Sequence, residues 1–352
     1  MRRLYRMLLT EAKLLKEETA KRMDIEILLA LQDLRVSLGS GFESAVAGLS
    51  ESIMMVGLVL CTFVYWSVNK KTGQFALMCF SVGNTLNQFV KNIACVYRPW
   101  ILDSRIAPAS GALGGATGYS FPSGHTVMSG TTFGSIAWRV RRKLPVVAVV
   151  LVVIVLLEAF LRMFLGVHTP QDVLAALAES LLVVLLGSFA YDRYEARCEK
   201  TGRNRDGLVL LGVVVLCVAC IAVIELKEYP MDYVDGVLLV DPDVMKRDIY
   251  EGVGAFSGMF AGWYCERRWV NFEVGDISVG ERVLRCVVGI ALVAGVFFGF
   301  DMLAKALIGP ALAKLTSRFV AAFFVMFVVP LLFGRSRSKS WCNGRFDSGM
   351  IS

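Results

Sequence analysis

Residues 144–190 read LPVVAVVLVVIVLLEAFLRMFLGVHTPQDVLAALAESLLVVLLGSFA, and this stretch decides the fold. Its two apolar runs, 144–166 and 172–190, are each long enough to cross a bilayer as a helix, which takes about 20 residues. Between them lie His168 and Thr169-Pro170, and a threonine followed by proline is typical of the start of a helix. The stretch therefore predicts a membrane-spanning helical hairpin with a histidine at its tip.

The same pattern recurs along the whole chain, which is 56% hydrophobic and only 19% charged. Soluble domains carry a larger charged share, about a quarter. We predict an all-α fold, a polytopic membrane helix bundle. Spanning helices are expected at 46–68, 73–91, 122–138, 144–166, 172–190, 207–225, 251–266, 284–307 and 317–334.

Four parts of the chain differ in composition. Residues 1–45 alternate charged and apolar side chains at helical spacing, which predicts an amphipathic helix on the membrane surface, and they lack the apolar core of a signal peptide. Residues 46–190 form the predicted membrane core, and 191–334 contribute additional transmembrane helices. Residues 335–352 form a basic tail.

Charge in the loops predicts the orientation. Basic residues cluster at 139–143, at 191–206 and in the tail, so these segments are expected in the cytoplasm. The 225–250 loop has seven acidic against three basic residues and is expected outside. Alternation then places the N-terminus outside. An additional crossing within 1–41 would place it inside, although no uninterrupted apolar run supports one. The net charge of +7 follows this topology, and no aromatic-basic stripe indicates nucleic acid as a partner.

Other chemistry-bearing residues have structural interpretations. The nine cysteines lie mostly inside apolar runs and read as small buried side chains, including the CxxC pair Cys217 and Cys220. Neither a disulfide framework nor a metal site is expected. Small residues in 251–266 favour close helix packing. Asp301, inside the 284–307 run, is expected near its outer boundary.

Both histidines of the chain lie in polar clusters. His125 ends the sequence FPSGH (121–125) where an apolar run begins, so Ser123 and Gly124 fall at a predicted helix start. Free backbone N–H groups there bind anions, and imidazole exchanges protons near neutral pH. Two unrelated structural histidines are the alternative, since a single PSGH also occurs by chance in loops.

Cations flank the first cluster. Lys91 and Arg98 lie seven residues apart, on one face of the helix that Pro99 ends. Taken alone, they are also typical of side chains that snorkel to the membrane surface. Arg162 lies near the end of an apolar run, where a guanidinium requires a partner.

The second histidine has a carboxylate close by in sequence. Asp172 follows His168 by four residues and can accept a hydrogen bond from its ring, which would fix the tautomer. It can equally cap the helix together with Thr169, and both roles are compatible. Two crossings separate His125 from His168, so the clusters are predicted to meet on the outer face.

The motifs Lys-x6-Arg-Pro, Pro-Ser-Gly-His and Arg-x5-His-x3-Asp resemble, in this order, the signatures of the type 2 phosphatidic acid phosphatase superfamily. The resemblance covers about residues 46–190 and is greatest to membrane-bound bacterial members. One position departs from it, because the family usually has serine before the third-motif arginine and this chain has Leu161. That departure bears on substrate handling more than on catalysis.

The resemblance implies a two-step mechanism without metal or cofactor. His168 would attack phosphorus to form a phosphohistidine, Asp172 would orient its ring, and His125 would protonate the leaving group and then activate water. The groups implied to hold the phosphoryl oxygens are Lys91, Arg98, Ser123, Gly124 and Arg162.

We expect a phosphatase of the bacterial plasma membrane, acting at the outer face on a lipid phosphate or diphosphate such as a phosphatidate-type lipid or undecaprenyl diphosphate. Lipid-to-lipid phosphotransfer and a non-catalytic lipid-phosphate binding or transport protein are the alternatives. Haloperoxidation is the least favoured, because those family members are typically soluble. The sequence leaves the oligomeric state open.

Overall fold

The structure is a computed structural model that describes residues 22–334. The helices are α1 (22–38), α2 (Ser40–Ser67), α3 (Lys70–Ala94), α4 (Pro99–Leu102), α5 (Gly124–Val140), α6 (Pro145–Phe164), α7 (Pro170–Thr201), α8 (Asp206–Leu226), α9 (Pro242–Cys265), α10 (Val279–Ile308), α11 (Pro310–Phe323) and α12 (Val329–Phe333). Single turns of 3-10 helix (Ser110–Ala112) and π-helix (Glu266–Val270 and Phe324–Val328) interrupt them. A two-residue turn joins the short antiparallel strands β1 (Tyr233–Val234) and β2 (Val237–Leu238).

This architecture confirms the predicted all-α membrane bundle. In the described range, α2, α6, α7, α8, α10 and the stretch Pro310–Phe333 are long and apolar enough to cross a membrane. The other predicted spans correspond to α3, α5 and α9, which are more polar. Each of these three packs against several neighbouring helices, so its polar side chains meet protein instead of lipid.

Four predicted helix starts were wrong. Helix α2 begins at Ser40 and not at residue 46, and α9 begins at Pro242 and not at residue 251. Helix α10 begins at Val279 and not at residue 284, and α11 begins at Pro310 and not at residue 317. The first turns of α9 carry charges, so hydropathy alone misses them, although Asp241 caps the helix by accepting from the Asp243 N–H at 2.8 Å. The rest of the predicted interfacial segment (1–21) and the basic tail (335–352) lie outside the described residues.

Helix α1 lies at the end of the bundle that carries His168. Arg35 donates to the carbonyl of Phe164 at 3.0 Å and pairs with Glu43 at 3.2 Å. Gln32 donates to the Arg105 carbonyl and accepts from the Ala107 N–H. These contacts tie α1 to the loop that follows α4, next to the turn that holds His168.

Glycines bring α9 and α11 into backbone contact, as the small residues predicted. A Cβ atom added at Gly254 would lie 2.1 Å from the Leu315 carbonyl oxygen, and one at Gly258 would lie 2.2 Å from that of Phe319. Larger residues are therefore excluded from this face of α9.

The second half of the bundle also docks on the first. Trp66 and Tyr65, at the end of α2, are fully buried and donate to the carbonyls of Val325 (3.0 Å) and Met326 (2.9 Å). Asp301 pairs with Lys305 at 2.6 Å and accepts from Ser317 at 3.1 Å, which links α10 to α11.

Candidate active site

Helix ends and the loops between them supply the residues predicted for the site. Lys91 lies in the last turn of α3, which ends at Ala94, so the prediction that Arg98 lies on the same helix was wrong. Arg98 immediately precedes α4, where Pro99 takes the first helical position instead of ending a helix. The other predicted residues are Ser123, Gly124 and His125 at the start of α5, Arg162 in the last turn of α6, His168 in the α6–α7 turn and Asp172 in the first turn of α7. The fold gathers all of them at one end of the bundle.

His168 is almost completely buried, and its neighbours define which nitrogen carries the proton. Nη1 of Arg98 lies 3.0 Å from its Nε2. A guanidinium has no acceptor, so Nε2 must accept, and the proton of the neutral ring is assigned to Nδ1. The lone pair of Nε2 therefore points toward the cationic part of the site.

On the other side of the ring, Asp172 faces Nδ1. The distance from Nδ1 to Oδ2 is 3.5 Å, which is longer than a normal hydrogen bond. Ser120 fills part of the gap, because its hydroxyl donates to Oδ2 at 2.5 Å and lies 3.4 Å from Nδ1. Ser120 was not among the predicted site residues, because it lies in a serine- and glycine-rich loop without a distinguishing pattern.

Asp172 also caps α7. Its Oδ2 accepts from the Thr169 N–H at 2.8 Å, and its own N–H donates to the Thr169 hydroxyl at 3.2 Å, which completes a capping box. Asp172 therefore caps the helix and lies beside His168 at the same time, as the sequence allowed. The capping hydrogen bonds therefore hold the carboxylate in place beside the imidazole.

Arg98 fastens the loops around His168. Besides the imidazole, it donates to the carbonyls of Thr117 (2.9 Å), Gly118 (3.1 Å) and Val167 (3.0 Å). Burial lowers the pKa of Arg98 to about 9, and the nearby charge of Arg162 adds to this effect. Burial first, and Arg98 second, lower the pKa of His168 well below its ordinary value, so the ring stays neutral.

Arg162 has the partner that its position required. It is fully buried and donates from Nη1 to the Ser50 hydroxyl at 3.0 Å, and Ser50 donates to Glu158 at 2.6 Å. Its Nε and Nη2 atoms have no hydrogen-bond partner within residues 22–334. Two buried, charged donors are thus available to an anion.

Leu161, at the position of the family serine, packs in the apolar core and is 5% exposed. The side chain at this position therefore faces the helix bundle. Leucine has no hydroxyl, so position 161 offers the site no polar group.

Lys91 and the start of α5 border the same space. An ideal Cβ on Gly124 would lie 3.8 Å from Nζ of Lys91 and 3.5 Å from Oδ1 of Asn87. The N–H of Ser123 is not free, because it donates to the Asp172 carbonyl at 3.2 Å. The α5 helix start is therefore anchored on α7, with the ammonium group close to Gly124.

His125 contacts a residue that was not among the predicted site residues. Its Nε2 lies 3.0 Å from Oε1 of Glu51, on α2. The available signal was an acidic residue inside a predicted spanning segment, which is expensive in lipid and calls for a partner. Within the described range, no group of three His, Cys, Asp or Glu side chains is placed to hold a metal ion.

Comparison with known proteins supports the motif-based prediction. Residues 72–196 match the family model of the PAP2 superfamily, the type 2 phosphatidic acid phosphatases. Residues 250–340 match the model described as PAP2 superfamily phosphatase, transmembrane extension. The two matches together take in more than half of the chain, which belongs to the PAP2 superfamily.

Among curated proteins, the chain is 30% identical over 121 residues to phosphatidylglycerophosphatase B of Bacillus subtilis (strain 168). That alignment covers 32% of this chain and 55% of the relative, so the chain matches about half of the relative's length. Among solved structures, it is similar to the first transmembrane PAP2 type phosphatidylglycerolphosphate phosphatase from Bacillus subtilis. That likeness has a TM-score of 0.40 and 23% identity, over 50% of this chain and 87% of the other.

Proposed function

We propose that this protein is a metal-independent phosphatase that hydrolyses a lipid phosphate or diphosphate through a phosphohistidine. The observation that carries the proposal is the environment of His168. Its Nε2 lone pair faces Arg98, while Asp172 and Ser120 hold the opposite nitrogen. A neutral, oriented imidazole beside cations has the properties of a nucleophile toward a phosphoryl group.

Substrate binding uses the free donors of the site. Nε and Nη2 of Arg162, Nζ of Lys91 and the N–H of Gly124 surround the phosphoryl oxygens, with Ser123 beside them. The Nη1–H group of Arg98 donates to Nε2 of His168 in the free site. When phosphorus approaches the ring, this group donates to a phosphoryl oxygen instead. These cations stabilise the charge of the transition state.

The reaction proceeds in two displacements. Nε2 of His168 attacks phosphorus, the bond to the leaving oxygen breaks, and His125 gives that oxygen a proton. Neutral His125 then takes a proton from water, which attacks phosphorus and releases His168 and inorganic phosphate. Asp172 stabilises the positive ring of the phosphohistidine in between.

The membrane setting favours a lipid substrate. The site lies at one end of a bundle of helices long and apolar enough to span a membrane, and the basic loop 139–143 lies at the opposite end of α5. By the positive-inside rule the site lies on the outer side of a bacterial plasma membrane. The relative's name supports phosphatidylglycerophosphate as a substrate, and phosphatidate and undecaprenyl diphosphate share the chemistry.

Phosphate release from these three lipids, in detergent with EDTA present, tests the proposal. We expect release by the wild-type protein and none by His168→Ala, and mass spectrometry of the products shows whether water or a lipid hydroxyl accepts the phosphoryl group. Loss of activity on chelation, or full activity of His168→Ala, would contradict the mechanism.

A further inference from the structure

Two adjacent residues of α2 contact predicted site residues on two other helices, α5 and α6. Ser50 bridges Arg162 and Glu158, and Glu51 contacts His125. Helix α2 ends at Ser67, before the 72–196 match begins. These contacts therefore come from a helix outside the three motifs.

The Glu51–His125 contact is close and partly enclosed. The distance from Nε2 to Oε1 is 3.0 Å, and the side chains are 9% exposed for His125 and 41% for Glu51. A Cβ added at Gly115 would lie 2.6 Å from Oε1 and 3.0 Å from Cε1 of the ring. The loop backbone at Gly115 thus covers the Glu51–His125 pair, and only glycine, which has no Cβ, allows the backbone to approach so closely.

The charges around His125 determine how easily its ring can carry a second proton. Arg162 on α6 and Lys91 on α3 are the cations near the ring, and both oppose a positive charge on it. Glu158 on α6 is engaged by Ser50. Glu51 is the carboxylate that touches the ring, so it compensates the doubly protonated form that a general acid needs.

We propose that Glu51 is the positioning residue of His125: its carboxylate holds Nε2–H and stabilises the imidazolium that protonates the leaving group. Glu51 does for His125 what Asp172 does for His168. In the first displacement the imidazolium passes one proton to the leaving oxygen as the P–O bond breaks, and Glu51 stays ionised. In the second, the ring regains a proton from water. This inference rests on the proposed function.

The test compares two leaving groups. An alkyl lipid phosphate needs its oxygen protonated, whereas p-nitrophenyl phosphate releases a stable anion. We expect Glu51→Gln to lower kcat about 10²-fold on the alkyl substrate, the usual contribution of a general acid, with KM little changed. On the aryl substrate we expect less than a tenfold loss in the rate of the first displacement, followed as the burst of p-nitrophenol, because the second displacement uses His125 with both substrates.

Two further variants complete the experiment. Glu51→Asp keeps the charge and should recover part of the alkyl activity. Glu51→Gln added to His125→Ala should cause no further loss on p-nitrophenyl phosphate, because its effect passes through the ring. Glu43→Gln is the matched control on α2, since Glu43 pairs with Arg35, and it should leave both rates unchanged.

Equal losses in the rate of the first displacement on both substrates, or additive losses in the His125→Ala background, would overturn the role of Glu51. Unchanged alkyl activity in Glu51→Gln would also overturn it while the proposed function stands. Absence of phosphate release by the wild-type protein would instead refute the proposed function. Elution volume and Tm establish that each variant is folded.

Discussion

Replacing Asp172 by asparagine removes one negative charge from the site and keeps the shape of the side chain. Oδ2 accepts from Ser120 and from the Thr169 N–H, and it faces Nδ1–H of His168. At the position of Oδ2, an amide nitrogen would face three hydrogen-bond donors. The amide oxygen of asparagine should therefore occupy this position, and the nitrogen should point away. Asp172→Asn is therefore expected to preserve the tautomer and the helix cap, and to remove the charge alone.

The magnitude follows from the 3.5 Å between Oδ2 and Nδ1. When His168 is phosphorylated its ring is positive, and opposite unit charges at this distance interact by about 5 kcal/mol at an effective dielectric constant of about 20. That energy corresponds to between about 10³ and 10⁴ in rate. We expect kcat for phosphate release to fall by up to this factor, with a shift in Tm of only a few degrees.

Asp192→Asn is the matched control, because Asp192 lies on the same helix and pairs with Arg139 at the opposite end of the bundle. Its kcat should equal that of the wild-type protein. Asp172→Ala should lose both activity and stability, the latter by about 1 kcal/mol for the lost cap. A fall of less than tenfold in Asp172→Asn would refute the electrostatic role.

Further predictions address the histidines, the helix packing and the buried carboxylate. ¹⁵N-histidine NMR, assigned with alanine variants, should show His168 protonated at Nδ1 and His125 at Nε2. Because its pKa is lowered, His168 should stay neutral as the pH falls through about 6.5, and protonation there would contradict this. Gly258→Ala should lower Tm in detergent, as overpacking costs about 1–3 kcal/mol, whereas Gly299→Ala, which meets open space, should not. Glu158→Ala should lower the Tm, at a cost of about 1–3 kcal/mol, since it leaves the buried Ser50 hydroxyl, which also accepts from Arg162, without its acceptor.

Sequence reasoning located the membrane helices and the reacting groups because both are encoded locally. Bilayer thickness fixes the length of an apolar run, and basic loops fix its direction. The motif at 121–125 and the four-residue spacing from His168 to Asp172 each lie within one turn or helix start. Parity of the crossings then predicted that the two histidines share one side, and the structure places both at the same end of the bundle.

Hydropathy failed where the first turns of a helix are polar. The charged beginning of α9 and the early start of α2 at Ser40 carry no apolar signal, although caps and packing extend the helices there. The polar helices α3 and α5 were found from sequence, but their position inside the bundle is a property of the assembled fold.

The chain by itself determined the spanning segments, the family motifs and the nearness of Asp172 to His168. Only the tertiary structure decided that Ser120 stands between those two side chains, that Arg98 rests on Nε2, and that Glu51 holds His125. Each of these contacts joins residues on different helices or loops, 48 to 74 positions apart. No local period or motif encodes such a distance, because it depends on how the helices pack against one another.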